Sequence, residues 1–525
     1  MGKIMIFDTT LRDGDQSPGM AMRPDEKLAI ALMLESAGVD IIEAGFPASS
    51  LIDFEAVEMI SSAIKGSAVC AMARSLEGDI EKAAEAVKGA AVRYIHVSLG
   101  TSPIHRNEKL HLTRDETIKK AVNAVRYAKQ RCDVVEMGAE DATRTEREFL
   151  RDFFTAVTEA GAGVINIADT SGYALPGEFA ALTGYIAGAV PAVSSGRARI
   201  SVHCHNDLGL ALANTMAGIS SGASQAEVTL MGIGERAGNA ALEELSALMK
   251  VRSDAFSIFE TGINTKALLP ACEMLSSIEG IAPGITKPVA GRNTFSHGSG
   301  IHQDGVLKRK QSYEIINPAD FGGGETEIIL SRHSGKKGVA SKVHELLGYY
   351  PSGDIMEDVM REYDMTSESL KSVSCTALLE ILKKSGLYEG IIYNIFKVSV
   401  SPESGGKNPE YRARVSVKVN ENKYPAATAV NTDPLKALFT ALDCTMPWGV
   451  KIKNYSCGFF GAGKRFSATA VIQAVAAGKL VRAESYRHDI YTAMAEAYVD
   501  LANYAMAIFK LNIPKTAEFA AHRSL

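Results

Sequence analysis

His203 and His205 stand two residues apart in His203-Cys204-His205-Asn206-Asp207, and Asp13 lies far upstream in Thr9-Thr10-Leu11-Arg12-Asp13-Gly14. Residues at i and i+2 cannot share a helix face, but on a β-strand they point the same way. The β-rich run that precedes them would carry both imidazoles at its C-terminal end and turn Cys204 to the opposite side. Two imidazoles and a carboxylate can hold a divalent ion and still leave positions for water or substrate, which marks catalytic rather than structural ligation. A pair of nearby histidines is, by itself, more often a hydrogen-bonded core or surface feature. The metal reading therefore requires other elements to bring polar groups to the same place.

The spacing of the first half supplies them. Short β-rich runs recur at 3–7, 41–44, 68–72, 94–99, 134–138, 164–168, 200–204 and 226–230, with helical patterns between them at 25–37, 77–88, 114–131, 145–160 and 208–220. Eight nearly all-apolar strands alternating with helices over about 250 residues predict a (β/α)8 TIM barrel rather than a doubly wound sheet. Active sites of that fold lie where the strands end. Those ends present Arg12 and Asp13, Glu43, His96, Glu140, Asn166 with Thr170, the two histidines, and finally the stretch 232–239. Gly232-Ile233-Gly234-Glu235-Arg236-Ala237-Gly238 resembles a phosphate-cradling loop, but its spacing is not GxGxxG and it follows the eighth strand instead of opening a first βαβ unit. It reads better as a tight turn that delivers Asn239.

Composition bounds the rest. A chain of 525 residues exceeds a single core, and 46% hydrophobic with 22% charged residues is the balance of a soluble globular protein. A net charge of −5 with no basic block gives no nucleic-acid footprint. No apolar run is long enough to span a bilayer, and the N-terminal residues lack the pattern of a signal peptide. Seven scattered cysteines without CxxC spacing suit reduced thiols in a cytoplasmic protein. The expected organisation is a catalytic barrel over 1–257, connecting helical subdomains over 258–388, and a small α+β domain over 389–525. In that last domain, strand-like runs at 412–419, 450–459 and 467–475 combine with helices at 434–442 and 489–507.

These motifs, together with Asn293-Thr294-Phe295-Ser296-His297-Gly298-Ser299-Gly300-Ile301-His302-Gln303-Asp304-Gly305, resemble the DRE-TIM metallolyase superfamily. Within it the chain is most similar to the 2-isopropylmalate, homocitrate and citramalate synthase branch, strongly over 1–340 and loosely beyond. The resemblance implies an acyltransferase that condenses acetyl-CoA with a 2-oxo acid, using Mg²⁺, Mn²⁺ or Zn²⁺. Asp13, His203 and His205 would be metal ligands, joined by Asn239. Arg12 would steady the developing alkoxide, and Glu140, His96 and Thr170 would line the oxo-acid pocket beside Asn166. His302 would belong to the base relay, reaching into the barrel of a partner subunit, so that the active form is a homodimer or larger. A retro-aldol lyase of the same superfamily and a non-catalytic effector-binding barrel are the rival readings.

Pocket residues bear on the choice of oxo acid. Homocitrate synthases place an arginine where this chain has Glu136, and an acidic side chain there would repel 2-oxoglutarate. Met72 keeps the pocket apolar, and Gly138, in place of the usual serine, would enlarge it. A branched apolar acid such as 2-oxoisovalerate fits best, with pyruvate the alternative. Met231 stands where the branch usually has Asn, and Tyr313 is not a secure match for a tyrosine that some relatives carry near the site. The last domain resembles the leucine-sensing regulatory domain of the 2-isopropylmalate synthases, with Asp489 near the effector end of its final helix. It lacks that domain's glycines, since Thr432-Asp433-Pro434-Leu435 and Tyr486-Arg487-His488-Asp489 are bulkier.

Overall fold

Each of the eight expected runs forms a strand, and together they close into a parallel barrel. The computed structural model describes residues 2–512 except 404–408, 421, 447–449, 461–466 and 477–478. The barrel strands are β1 (Met5–Asp8), β2 (Ile41–Gly45), β3 (Ala68–Arg74), β4 (Arg93–Gly100), β5 (Val134–Glu140), β6 (Val164–Asp169), β7 (Arg199–Cys204) and β8 (Gln225–Val228). Strand alternation sorts their side chains. Along β5, Val135, Met137 and Ala139 are buried in the core that the strands share with the helices. Glu136 and Gly138 instead face across the barrel, toward groups on β4, β6 and β8. Inside, Phe7, Ile41, Cys70, Tyr94 and Val164 form a separate apolar cluster. Polar side chains, Glu43, His96, Glu136, Asn166, Ser201 and Glu227, fill the interior next to it.

Two strands depart from expectation. Gly2–Lys3 splits from the first strand and pairs in parallel with Phe259–Glu260. The eighth ends at Val228, because the chain then bends through Met231 at φ 58°. That left-handed conformation favours Gly or Asn over a longer side chain. The asparagine usual at this place in the resembled branch thus suits the backbone better than methionine does. Here the methionine is buried, and Ser276 Oγ lies 3.4 Å from its sulfur. Gly238, at φ 84°, completes the bend: a Cβ there would run into the Gly232 carbonyl oxygen. The turn can only close with glycine at that position.

The chain divides into two compact units, one of Met1–Thr294 with Ile315–Glu325 and the other of Phe295–Glu314 with Thr326–Leu525. In the second, helices Gly300–Lys308, Lys336–Leu347, Gly353–Ser367 and Cys375–Lys384 precede two small antiparallel sheets. One sheet holds Tyr393–Pro402, Tyr411–Val419 and Ala427–Asn431, followed by helix Pro434–Asp443. The other holds Lys451–Phe460, Ser467–Ala476 and Lys479–Arg487, followed by helix Ile490–Asn512. The two helices bury Leu438, Leu442, Ala497 and Leu501 against Val415 and Ile472 of the sheets. This is the small α+β domain expected at the C-terminus. Among the described residues no helix is long and apolar enough to cross a membrane.

Candidate active site

β1 runs into a helical turn, Thr10–Gly14, which carries Arg12 and Asp13 into the mouth of the barrel. The turn is held by Thr9, whose side chain accepts from the Asp13 backbone N–H. β7 delivers His203, and just beyond it His205 forms a bridge with Asn239 of the 232–239 turn. The result is a compact set. Nε2 of His203 lies 3.1 Å from Nε2 of His205, which is 3.9 Å from an Asp13 carboxylate oxygen. Ligand atoms of the three residues all fall within 4.8 Å of one another. Asn239 reaches the same Asp13 oxygen with its amide nitrogen, and its Oδ1 is buried without a partner.

The protonation states fit a divalent cation. Burial pushes both imidazoles down to about 4, so each is neutral and has lone pairs to offer. Burial alone would raise Asp13, but the Arg12 guanidinium, the imidazoles at the low pH where they are protonated, and the Asn239 hydrogen bond outweigh it and hold the carboxyl below its usual range. Two neutral nitrogens facing each other, an ionised carboxylate and an unpartnered amide oxygen form a donor set of the hard and borderline type that Mg²⁺, Mn²⁺ and Zn²⁺ accept.

Glu43 on β2 organises the other side of the mouth. Its Oε2 accepts from Arg12 Nε and from Thr9 Oγ1, each at 2.6 Å, and its Oε1 lies 3.0 Å from His96 Nδ1. Arg12 also donates to Asp13 at 3.1 Å. Burial opposes the Glu43 charge, yet Arg12 and His96 hold its carboxyl well below the usual range, and that carboxylate in turn raises His96 to about 9.

The remaining expected residues separate. Met72 is half-buried on β3, and His96 packs over Gly138, where an added Cβ would come 2.6 Å from His96 Nε2. The glycine therefore does not leave open space; it makes room for the imidazole. Asn166 donates to Glu136 and Glu227, and its Oδ1 is buried without a partner. Glu140 is half-buried at the rim, where the Lys109 hydrogen bonds and the neighbouring His105, 3.4 Å away, outweigh burial and hold it at about 2. Thr170 uses its hydroxyl to accept the Asp141 backbone N–H. His302 belongs to the second unit, with its ring exposed on one side and stacked on Tyr313 at 4.2 Å. Gly305 permits that stacking, because a Cβ there would strike the Tyr313 ring.

Glu136 does not act as the sequence suggests. It is fully buried, bonded to Tyr94, Gln225 and Asn166, and burial with the neighbouring Glu227 charge raises it to about 8. A carboxyl kept neutral at pH 7 exerts little charge repulsion on 2-oxoglutarate. Two residues with central positions escape the motif reading: Glu43, visible only as a polar strand end, and Glu227, an acidic residue in an otherwise apolar run.

Barrel and site together define an enzyme scaffold of the HMGL-like type, with Asp13, His203 and His205 placed so that they could hold a metal ion, and the HMGL-like family model matches residues 3–275. The homocitrate synthase post-HMGL domain-like model matches 289–369, and the LeuA allosteric (dimerisation) domain model matches 372–506. Similarity extends along the chain. It is 39% identical to 2-isopropylmalate synthase of Oceanobacillus iheyensis, covering 98% of this chain and 99% of that one. With 2-isopropylmalate synthase of Aliarcobacter butzleri it shares 41% identity over 86% of each chain. The chain belongs to the 2-isopropylmalate synthase family.

Proposed function

We propose that the chain condenses acetyl-CoA with 2-oxoisovalerate and water to give 2-isopropylmalate and free CoA, the entry to leucine biosynthesis. The observation that carries this reading is the set of Asp13, His203, His205 and Asn239 beside a guanidinium held by Glu43. Asp13, His203, His205 and Asn239 would hold the divalent ion, which when bound supplies Lewis acidity toward a ketone and its neighbouring carboxylate. Arg12 aims its remaining N–H groups at the oxygen that gains charge as the new C–C bond forms. His96, held protonated by Glu43, together with Met72 and Asn166, lines the space for the oxo acid. A base must remove a proton from the acetyl methyl group. His302 is assigned to that relay from a partner subunit, and Glu140 to the rim of the same pocket. Hydrolysis of the thioester makes the condensation irreversible.

The LeuA allosteric (dimerisation) match supports a homodimer, with the last domain as the place for an amino-acid effector. Asp489 already spends one carboxylate oxygen on the Thr492 N–H at the start of the final helix.

The test is thiol release from acetyl-CoA with Mg²⁺ or Mn²⁺ across pyruvate, 2-oxobutyrate, 2-oxoisovalerate and 2-oxoglutarate. A maximum in kcat/KM for 2-oxoisovalerate, lost on chelation and restored by metal, is expected. A maximum for pyruvate would make the enzyme a citramalate synthase, and thiol release with none of the four would sink the condensation.

Gly138→Ser probes the pocket wall. The added side chain must displace His96 from Glu43, an overpacking that costs ~1–3 kcal/mol in stability. KM for the oxo acid should rise by about tenfold, the equivalent of ~1.4 kcal/mol. A variant with unchanged KM would show that His96 does not define the pocket.

A further inference from the structure

We infer that Glu227 is the positioning residue for His203, fixing which imidazole nitrogen faces the ligand cluster. This rests on the reading of Asp13, His203 and His205 as ligands of a divalent ion. Glu227 lies on β8, is almost fully buried, and its Oε2 lies 2.8 Å from His203 Nδ1. With a proton fixed on Nδ1, the lone pair is left on Nε2, the atom that faces His205. A carboxylate holding the far nitrogen of a metal-ligating histidine sets both its tautomer and its ring orientation. Glu227 is itself immobilised. Its Oε1 accepts from Ser201 Oγ at 3.2 Å and from the Asn166 amide. Asn166 in turn donates to Glu136, which is locked by Tyr94 and Gln225. The support therefore spans β4 to β8 across the barrel interior.

His96, Glu136 and Glu227 also bring ligand atoms within 4.8 Å of one another, the spacing of a second cation site. Their hydrogen bonds argue otherwise. Each has partners of its own, His96 in Glu43, Glu136 in Tyr94 and Gln225, and Glu227 in His203, and the Asn166 amide bridges the two carboxyl groups. The cluster is a scaffold under one metal site.

Glu227→Gln keeps the volume but supplies one acceptor oxygen where two are in use, so the His203, Ser201 and Asn166 donors cannot all be satisfied. The experiment titrates Co²⁺ into full-length wild type, Glu227→Gln and His203→Ala, following affinity, stoichiometry and the visible d–d spectrum, with circular dichroism to establish folding. One ion per wild-type chain is expected, with affinity lowered about 10–100-fold and an altered spectrum in Glu227→Gln. Unchanged affinity and spectrum in Glu227→Gln, with binding lost in His203→Ala, would overturn the positioning role alone. Wild-type binding by His203→Ala would overturn the ligand assignment itself. A second ion per chain, lost in Glu136→Gln, would show the cluster to be a site rather than a scaffold. If Glu227→Gln fails to fold, Ser201→Ala reads the same chain one bond further out, and an unaltered Co²⁺ spectrum there counts against it.

Discussion

His203→Ala is expected to abolish metal-dependent thiol release while leaving the barrel folded. His203 sits at the end of β7, and its backbone pairing with β6 and β8 does not use the side chain. Removing the imidazole takes away one of two neutral nitrogens that face each other at 3.1 Å. Asp13, His205 and Asn239 remain, but three donors hold an ion less tightly than four and in altered geometry. A bound metal contributes several kcal/mol to stabilising charge in such reactions. The loss should then be at least ~10²–10³-fold in kcat/KM, even in saturating Mn²⁺. Circular dichroism separates this from unfolding. The variant leaves Glu227 with Ser201 and Asn166 as partners, so the melting temperature should fall by only a few degrees. Near-wild-type turnover in the metal-replete assay would remove His203 from the site and the metal reading with it.

The architecture was legible because its signals are local. Each barrel strand is a short, β-rich and mainly apolar run buried on both faces, and the paired histidines sit on one face through strand alternation alone. The partners of these residues were not legible. Arg12 finds Glu43 across 31 positions and His203 finds Glu227 across 24, and no spacing rule connects them until the sheet closes. Gly138 shows the same limit. From the sequence it means lost bulk, whereas in the barrel it is the seat of an imidazole from the neighbouring strand.

In the C-terminal domain, strands Tyr393–Pro402, Ala427–Asn431 and Lys479–Arg487 were not expected, and the first and the last escape for different reasons. The first contains a bulge between Ile395 and Lys397 that leaves Phe396 exposed and breaks the two-residue period. Among its described side chains the last fully buries small groups, Ala483 and Ser485, with Val481 only partly buried, so its alternation carries little hydrophobic contrast.

Arg12 offers a separation that His203 cannot, between holding the fold and stabilising charge. Arg12 and Glu43 are both buried and meet at 2.6 Å. Deleting one member of a buried pair costs ~3–5 kcal/mol because the other is left uncompensated. Here Thr9 and His96 also bond to Glu43, so Arg12→Ala should lie toward the lower end of that range. Arg12→Lys keeps a positive charge beside Glu43 but lacks the planar fork that also reaches Asp13 and leaves N–H groups for the substrate. Its stability should stay within ~1 kcal/mol of wild type, the scale of a single net hydrogen bond. Its kcat should still drop by ~10²-fold or more, as when one donor to a developing oxyanion is removed. Because that charge exists only as the bond forms, KM for the oxo acid should change far less than kcat. A lysine variant that loses stability and not turnover would make Arg12 a structural counter-ion to Glu43. One that loses turnover at constant stability places the guanidinium at the reacting oxygen.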